Sequence, residues 1–282
     1  MTELDNYRYE IMRDNRDGLT MFHVTEDHGI NPKQHFHGSM EFIYVAKGRL
    51  LAYLGEERLE VEEGCLLALP SFLPHDLPVE NAELWQLIVP RLLIGNLDKL
   101  MENKTLERRV IPDPDGQLLT YLKLIYEIHT QSGLFASLDS HSAQAASHSA
   151  AASFVRIVIQ LCGLKEKEGS SSAVMQAIHY LSQHFREPVQ IGRLSRLLYC
   201  NRSQLSALFR KTFGMSMSEY VTRLRAAEVR RLLDEEGVTL LQACSEAGFG
   251  SLRTLHRAYK EIYGCSPCES VRYTAPSGDR ST

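Results

Sequence analysis

Two periodicities divide the chain. In its first hundred residues the apolar positions come in short runs, at 41–45, 50–54, 58–61, 65–69 and 85–89, parted by Lys47-Gly48, Gly55-Glu56, Glu63-Gly64 and Pro-rich segments. Short β-rich runs bounded by Gly and Pro predict strands and turns, and their regular spacing predicts a small antiparallel barrel or jelly roll. From about Leu97 to Leu164 a helical spacing takes over, with one apolar stripe at Leu118, Leu119, Leu122, Ile125 and Tyr126 and another at Phe154, Val155, Val158, Ile159 and Leu161. Residues 137–153 are rich in Ala and Ser, a bias that fits a loose loop or a thinly packed helix. Residues 163–172 have the polar, Gly/Ser-rich composition of a linker.

The last hundred residues contain the same helix, turn, helix pattern twice. In the first copy Leu194, Leu197 and Leu198 space an inward face, and Asn201 is placed to cap a second helix over residues 202–213. Leu205, Leu208 and Phe209 point that helix inward, which leaves Arg202, Ser203, Ser206, Ala207, Arg210 and Lys211 largely outside. Gly214 is the expected stop. The second copy runs from Val238 through Leu240, Leu241 and Cys244 to a turn at Gly248-Phe249-Gly250, with Ser251 as cap. There Leu255 and Tyr259 face inward, and Arg253, Thr254, Arg257 and Lys260 face out. Residues 218–235 read as one helix joining the copies, packed through Tyr220, Val221, Leu224, Ala227, Leu232 and Leu233. An outward face of small polar residues with Arg and Lys suits a major groove.

Two such units in register, joined by one helix, resemble the DNA-binding domain of the AraC/XylS family of bacterial transcription regulators. The resemblance covers roughly a hundred residues and is carried by LSRLLYCNRSQLSALFRKTFGMSMSEYVTRLRAAEVRRLL and LLQACSEAGFGSLRTLHRAYKEIYGCSP, including Gly214, Tyr220, Arg225, Gly248-Phe249, Lys260, Gly264 and Ser266-Pro267. Cys244 stands where the family has Ala, Leu255 and Tyr259 where Phe is commoner, and Ser270-Val271 where Tyr-Arg closes the domain. The resemblance implies groove-reading positions at Ser203, Ser206 and Ala207 in the first unit and Arg253, Thr254 and Arg257 in the second. Arg257 is the foremost candidate for base readout, since a guanidinium can donate two parallel hydrogen bonds to guanine. Arg202, Arg210, Lys211 and Lys260 suit phosphate contacts. The alternative for each is a solvated charge on an amphipathic helix. Small residues in the first unit predict looser base selection there.

Charge agrees once the chain is divided. Residues 1–173 carry 16 Lys and Arg against 25 Asp and Glu, whereas residues 174–275 carry 14 against 9. The basic excess lies on the candidate DNA-binding half. No apolar run reads as a membrane span and MTELDNYRYE is no signal peptide, so the expectation is a cytoplasmic protein without a membrane partner. Cys65, Cys162, Cys200, Cys244, Cys265 and Cys268 are scattered, as in cytosolic proteins. Cys265 and Cys268 form a C-x-x-C, but no second pair completes a zinc site, and it coincides with the family's turn after a helix.

In the strand region, His35-Phe-His37-Gly-Ser-Met-Glu41 followed by Gly48 resembles the first motif of the cupin superfamily, and Gly64, Pro70 and His75 match the spacing of its second. Phe72 occupies the second motif's Gly position and Val79 its Asn. Residues 35, 37 and 41 share parity, so a continuous strand would aim all three at one face. With His75 they would suit a metal ion, as three imidazoles and a carboxylate. The resemblance to AraC-type sensor domains, which carry a similar pattern, implies instead a small-effector pocket, and structural histidines are the third possibility. Tyr44, Tyr53, Phe72 and Trp85 are further candidates for lining it. The expectation is an effector site built from His35, His37, Glu41, Tyr44, His75 and Trp85, with no resident cofactor.

The sequence therefore implies an α+β chain: a cupin-like β-barrel at 1–100, a helical covering or dimerisation region at 101–164, a linker at 165–173, a double helix-turn-helix domain at 174–275 and a tail at 276–282. Its expected role is a transcription regulator, an activator more than a repressor, that binds double-stranded DNA as a homodimer. RNA polymerase is a further possible partner, and the expected effector is a small molecule such as a sugar. Two other readings stand beside it: a cupin-type metal-dependent enzyme with an appended helical domain, and a dimeric regulator with no ligand.

Overall fold

The structure is a computed structural model that describes residues 8–9, 19–25, 35–55, 57–79, 81–90, 93–94, 101, 104–166, 173–233 and 238–267. It divides into two compact units, Met1–Gly169 and Ser170–Thr282.

The first unit is built on two five-stranded sheets. One has the order β1-β3-β8-β5-β6, from Arg8–Tyr9 (β1), His35–Phe36 (β3), His75–Asp76 (β8), Arg49–Leu54 (β5) and Glu57–Glu62 (β6). The other has the order β11-β7-β4-β9-β2, from Val110–Pro112 (β11), Cys65–Leu69 (β7), Met40–Lys47 (β4), Glu83–Val89 (β9) and Thr20–Val24 (β2). The five runs read as strands are all strands. Because the alternation is imperfect in TMFHV and β8 has only two residues, β2 and β8 do not stand out in the sequence.

Alternation along β4 and β9 separates two cores. Ile43, Val45, Leu67, Leu69 and Leu84 pack with Leu50, Ala52, Leu54 and Val61 of the facing sheet. On the opposite side Met40, Phe42, Tyr44, Trp85, Leu87 and Val89 are covered by two helices, Gln117–His129 (α1) and Ser140–Cys162 (α2). Phe42 meets Phe154 edge to face at 5.6 Å, and Phe154 stacks on Tyr121. No side chain caps α1 at Gly116. Instead Asp113 reaches into the first turn and accepts from the N–H groups of Gln117, Leu118 and Leu119 at 3.0, 2.9 and 3.2 Å.

Two element boundaries expected from the sequence are corrected here, and one open alternative is decided. Helical spacing does not start at Leu97: Lys104–Leu106 (β10) and Val110–Pro112 are strands, and the second extends the sheet beside β7. Of the two alternatives for the Ala/Ser-rich segment, loop or helix, the helix forms: it is the first half of α2, capped by Asp139, whose carboxylate accepts from Ser142 N. Leu164–Glu166 (β12) is a strand paired with β10 and not linker, because its backbone groups find partners in Lys104–Leu106; residues 167–172 and the tail at 276–282 lie outside the described residues. α2 is also long and apolar enough to cross a membrane by length and composition, contrary to the reading of the sequence. Its apolarity has another cause, since Phe154, Val155, Val158, Ile159 and Cys162 are buried in the core.

The second unit is helical: Ala173–His184 (α3), Ile191–Leu197 (α4), Arg202–Phe213 (α5), Met217–Leu233 (α6), Leu240–Glu246 (α7) and Leu252–Tyr263 (α8). Both predicted caps form. Asn201 accepts from Ser203 N and Gln204 N, and Ser251 accepts from Thr254 N. Gly214 and Gly264 end α5 and α8 in the left-handed conformation.

Two polar networks tie the turn after α3, at Phe185, Arg186 and Glu187, to α6. Glu228, buried on α6, accepts from Arg186 and Arg231, while Arg225 donates to the carbonyls of Phe185 and Glu187. Gly248 presses on the same turn: a Cβ there would lie 2.2 Å from Arg186 O. Leu197, expected inside, is 54% exposed, and Leu241 in the second copy is 66% exposed. The short helices α4 and α7 bury instead the pairs Leu194-Ser195 and Ala243-Cys244, because only one narrow face of a two-turn helix meets the core.

Candidate nucleic-acid interface and buried histidine cluster

The two helix-turn-helix units superpose in sequence through their caps, Asn201 on Ser251, so that Ser203 corresponds to Arg253, Ser206 to His256, Ala207 to Arg257 and Arg210 to Lys260. Arg202, Ser203, Ala207, Arg210 and Lys211 on α5 and Arg253, Thr254, Arg257 and Lys260 on α8 are all exposed; Ser206 is half-buried. Leu205, Phe209 and Phe213 on α5, and Leu255, Ala258 and Tyr259 on α8, hold the opposite faces in the core. The outward faces include two positions that the sequence reading passed over. Gln204 and His256 are exposed on the same faces, and a one-to-one superposition of the caps finds them.

The arginines of this unit fall into two groups. Arg186, Arg223, Arg225 and Arg231 serve the fold through carboxylates or backbone carbonyls. Arg202, Arg210, Arg253 and Arg257 are exposed and take part in no ion pair among the described residues, which leaves their guanidinium groups available to a ligand.

In the barrel, His35, His37, Glu41 and His75 are each buried, and one ligand atom from each lies within 4.8 Å of the others. A single strand does not bring them together, contrary to the parity argument. The chain leaves β3 at Phe36, bends at Gly38-Ser39 and enters β4 in the other sheet at Met40. His35 pairs directly with His75 across β3 and β8, and the rings meet at 4.2 Å. The cluster forms where the chain crosses between sheets.

Its hydrogen bonds fix its chemistry. His37 Nδ1 lies 3.1 Å from Ser39 O and His75 Nδ1 lies 2.8 Å from Leu73 O, so both donate outward and turn Nε2 toward Glu41. Glu41 Oε2 is 2.8 Å from His37 Nε2 and 3.4 Å from His75 Nε2. Lone pairs on both sides of such a contact need a cation between them, either a proton or a metal ion. Burial opposes ionisation of Glu41, but its hydrogen bonds to His37 and His75 and their charge outweigh this and hold its carboxyl well below the usual range. Gln86 completes the arrangement by donating to Glu41 Oε1. It was not singled out in the sequence, although a polar side chain at an inward position of ELWQLIV was the available signal. Three imidazoles, two of them with preset tautomers, and one oriented carboxylate fit a divalent transition metal.

Tyr44 and Trp85 do not join this group. They alternate to the opposite face of the sheet and lie beneath α1 and α2. Burial, reinforced by Asp113, pushes the Tyr44 hydroxyl up to about 12. Trp85 stacks on His23 at 4.0 Å and meets Tyr126 edge to face. Phe72 is left-handed at φ 63, the conformation that favours the Gly expected in its place, and its N–H donates to His37 O at 2.7 Å. Five cysteines are free thiols; Cys268 lies outside the described residues.

Residues 194–272 match the family described as a helix-turn-helix domain, and residues 22–85 match the family described as a cupin domain. The chain is 30% identical over 89 residues to the probable transcriptional regulator LumQ of Photobacterium leiognathi, a match covering 32% of this chain and 36% of LumQ. It is 30% identical over 105 residues to the HTH-type transcriptional regulator GbdR of Pseudomonas aeruginosa, covering 37% and 29%. Against the melibiose operon regulatory protein of Escherichia coli K12 it is 20% identical over 254 residues, covering 84% and 83%. The chain thus spans about a third of the length of the first two relatives.

Proposed function

Because this chain carries an AraC-type helix-turn-helix domain behind a cupin domain, we propose that it is a sequence-specific DNA-binding transcription regulator whose barrel takes a small-molecule effector. The observation that carries the reading is the pair of capped helices, α5 and α8, whose outward faces hold guanidinium groups that the fold leaves unengaged. Arg253, Thr254 and Arg257 read bases on α8; Ser203, Ser206 and Ala207 occupy the groove on α5. Arg202, Arg210, Lys211 and Lys260 contact phosphates. Successive major grooves on one face of the duplex accommodate the two helices about one turn apart.

Effector control requires different affinity for two arrangements of the protein. Regulation of transcription as an activator, as a homodimer and through RNA polymerase belongs to this reading, as does a cytoplasmic location. A sugar is the foremost effector class, supported by the likeness to the melibiose operon regulatory protein along most of both chains. The role is regulatory and not enzymatic.

A second reading of the barrel is favoured by one observation, the ligand-atom spacing within 4.8 Å. His35, His37, Glu41 and His75 would hold a divalent metal ion, which would supply a Lewis-acidic anchor for an oxygen-bearing effector. Tyr44 and Trp85 take no part in either version.

Mapping genomic sites bound by the tagged protein tests the main reading. Discrete promoter sites that disappear with Arg257→Ala are the expected result, and no enrichment in the wild type would sink it. Metal analysis of the purified wild type and His35→Ala separates the two barrel readings, with stoichiometric metal lost in the variant expected only from the second.

A further inference from the structure

Arg193 and Arg196 lie on α4, outside both recognition helices, one turn apart and both exposed. With Arg202 at the start of α5 and the 189–192 segment they line an open cleft of about 520 Å³. Arg196 Nε donates to Gly192 O of its own helix at 3.2 Å, and Arg193 and Arg202 form no ion pair among the described residues. The other copy has no such cleft chemistry. Matching the buried pair Leu194-Ser195 to Ala243-Cys244 sets Gln242 and Ser245 opposite Arg193 and Arg196, and cap matching sets Leu252 opposite Arg202. Gln242 is occupied by the capping box of α7. Residues 189–214 contain five Lys and Arg and no carboxylate; residues 238–264 contain three, with Glu246 and Glu261 against them.

We infer that Arg193, Arg196 and Arg202 together grip the phosphate backbone of duplex DNA, so that the first helix-turn-helix unit supplies affinity and the second supplies sequence discrimination. The inference rests on the DNA-binding reading above. Three guanidiniums beside the start of α5, in a stretch, 189–214, without a carboxylate, suit phosphates bordering the groove that α5 enters. A free phosphorylated metabolite has the same chemistry, and the test separates the two sources.

The experiment uses full-length protein, a duplex selected by the wild type from a random pool, and a scrambled duplex of equal length, with affinities measured across a salt series. R193A/R196A should flatten the dependence of log affinity on log salt by about 2 per bound protomer, since each phosphate contact contributes roughly 0.9. Both duplexes should weaken by the same factor, and R193K/R196K should keep most of the slope. Arg257→Ala should instead collapse the ratio between the duplexes. Unchanged thermal melts confirm that the variants fold. An unchanged slope in R193A/R196A, or a loss confined to the selected duplex, overturns the inference while leaving DNA binding in place. No binding of either duplex by the wild type overturns both. Saturable binding of inorganic phosphate by the free protein, lost in R193A/R196A without any change in salt slope, assigns the cleft to a small ligand and overturns the backbone grip.

Discussion

The two helix-turn-helix units share a backbone plan and differ in what they spend it on. Both have a two-turn first helix, a left-handed residue in the turn, a side-chain cap and a twelve-residue second helix ending in left-handed Gly. In the second unit the turn residue is Gly248, pressed against the backbone of Arg186; in the first it is Tyr199, 98% exposed at φ 49. The second helix of the second unit presents Arg253, His256 and Arg257 where that of the first presents Ser203, Ser206 and Ala207. The turn of one unit is thus packed against the backbone of Arg186, whereas the turn residue of the other is exposed; under the function proposed above, the former unit reads bases and the latter contributes charge.

The largest expected effect breaks the frame of the second unit. Gly248→Ala places a Cβ 2.2 Å from Arg186 O at φ +83, so chemical denaturation should show a loss of at least ~3 kcal/mol. Next is Glu228→Gln, which removes the partner of Arg186 and Arg231 and should cost about 2 kcal/mol, because both arginines can regain water. Burial raises the Glu228 pKa, but its bonds to Arg231 and Arg186 outweigh burial and lower it overall. Its contribution is therefore complete above the unfolded carboxylate value near ~4.3 and fades as pH falls through the lower folded value. Stability measured against pH should lose part of its acid limb in the variant.

Arg257→Ala should reduce discrimination between selected and scrambled duplexes by roughly 1 to 3 kcal/mol in titrations, while Ala207→Ser in the first unit should leave the ratio unchanged. A drop that is equal on both duplexes would contradict the division of roles. The smallest effect is Tyr199→Gly, which relieves left-handed strain at an exposed position and should raise the melting midpoint, by a gain of up to ~1 kcal/mol. Destabilisation there would mean that the exposed ring has a contact of its own.

Local patterns carried much of this structure. The caps Asn201 and Ser251, the stop at Gly214 and the strands around β4 to β7 were all legible, because each depends on a few neighbouring residues. Leu197 misled, since a seven-residue helix touches its core along too narrow a line for periodicity to say which Leu is covered. Candidate barrel residues were legible by type but not by side. His35, His37, Glu41 and His75 form the cluster, while Tyr44 and Trp85 occupy the helical layer.

What the sequence alone determined is the order of units, the doubled helix-turn-helix and the donor types of the barrel site. These follow from short-range spacing, capping and composition. Tertiary structure decided which side of β4 and β9 faces the second sheet, that the chain crosses between sheets at Gly38-Ser39, and that Gln86 orients Glu41. It also decided which arginines the fold consumes and which it leaves for a partner. Those outcomes depend on contacts between residues about forty or more positions apart, such as Arg186 with Glu228 and Gln86 with Glu41, and long-range pairing leaves no periodic trace in the chain.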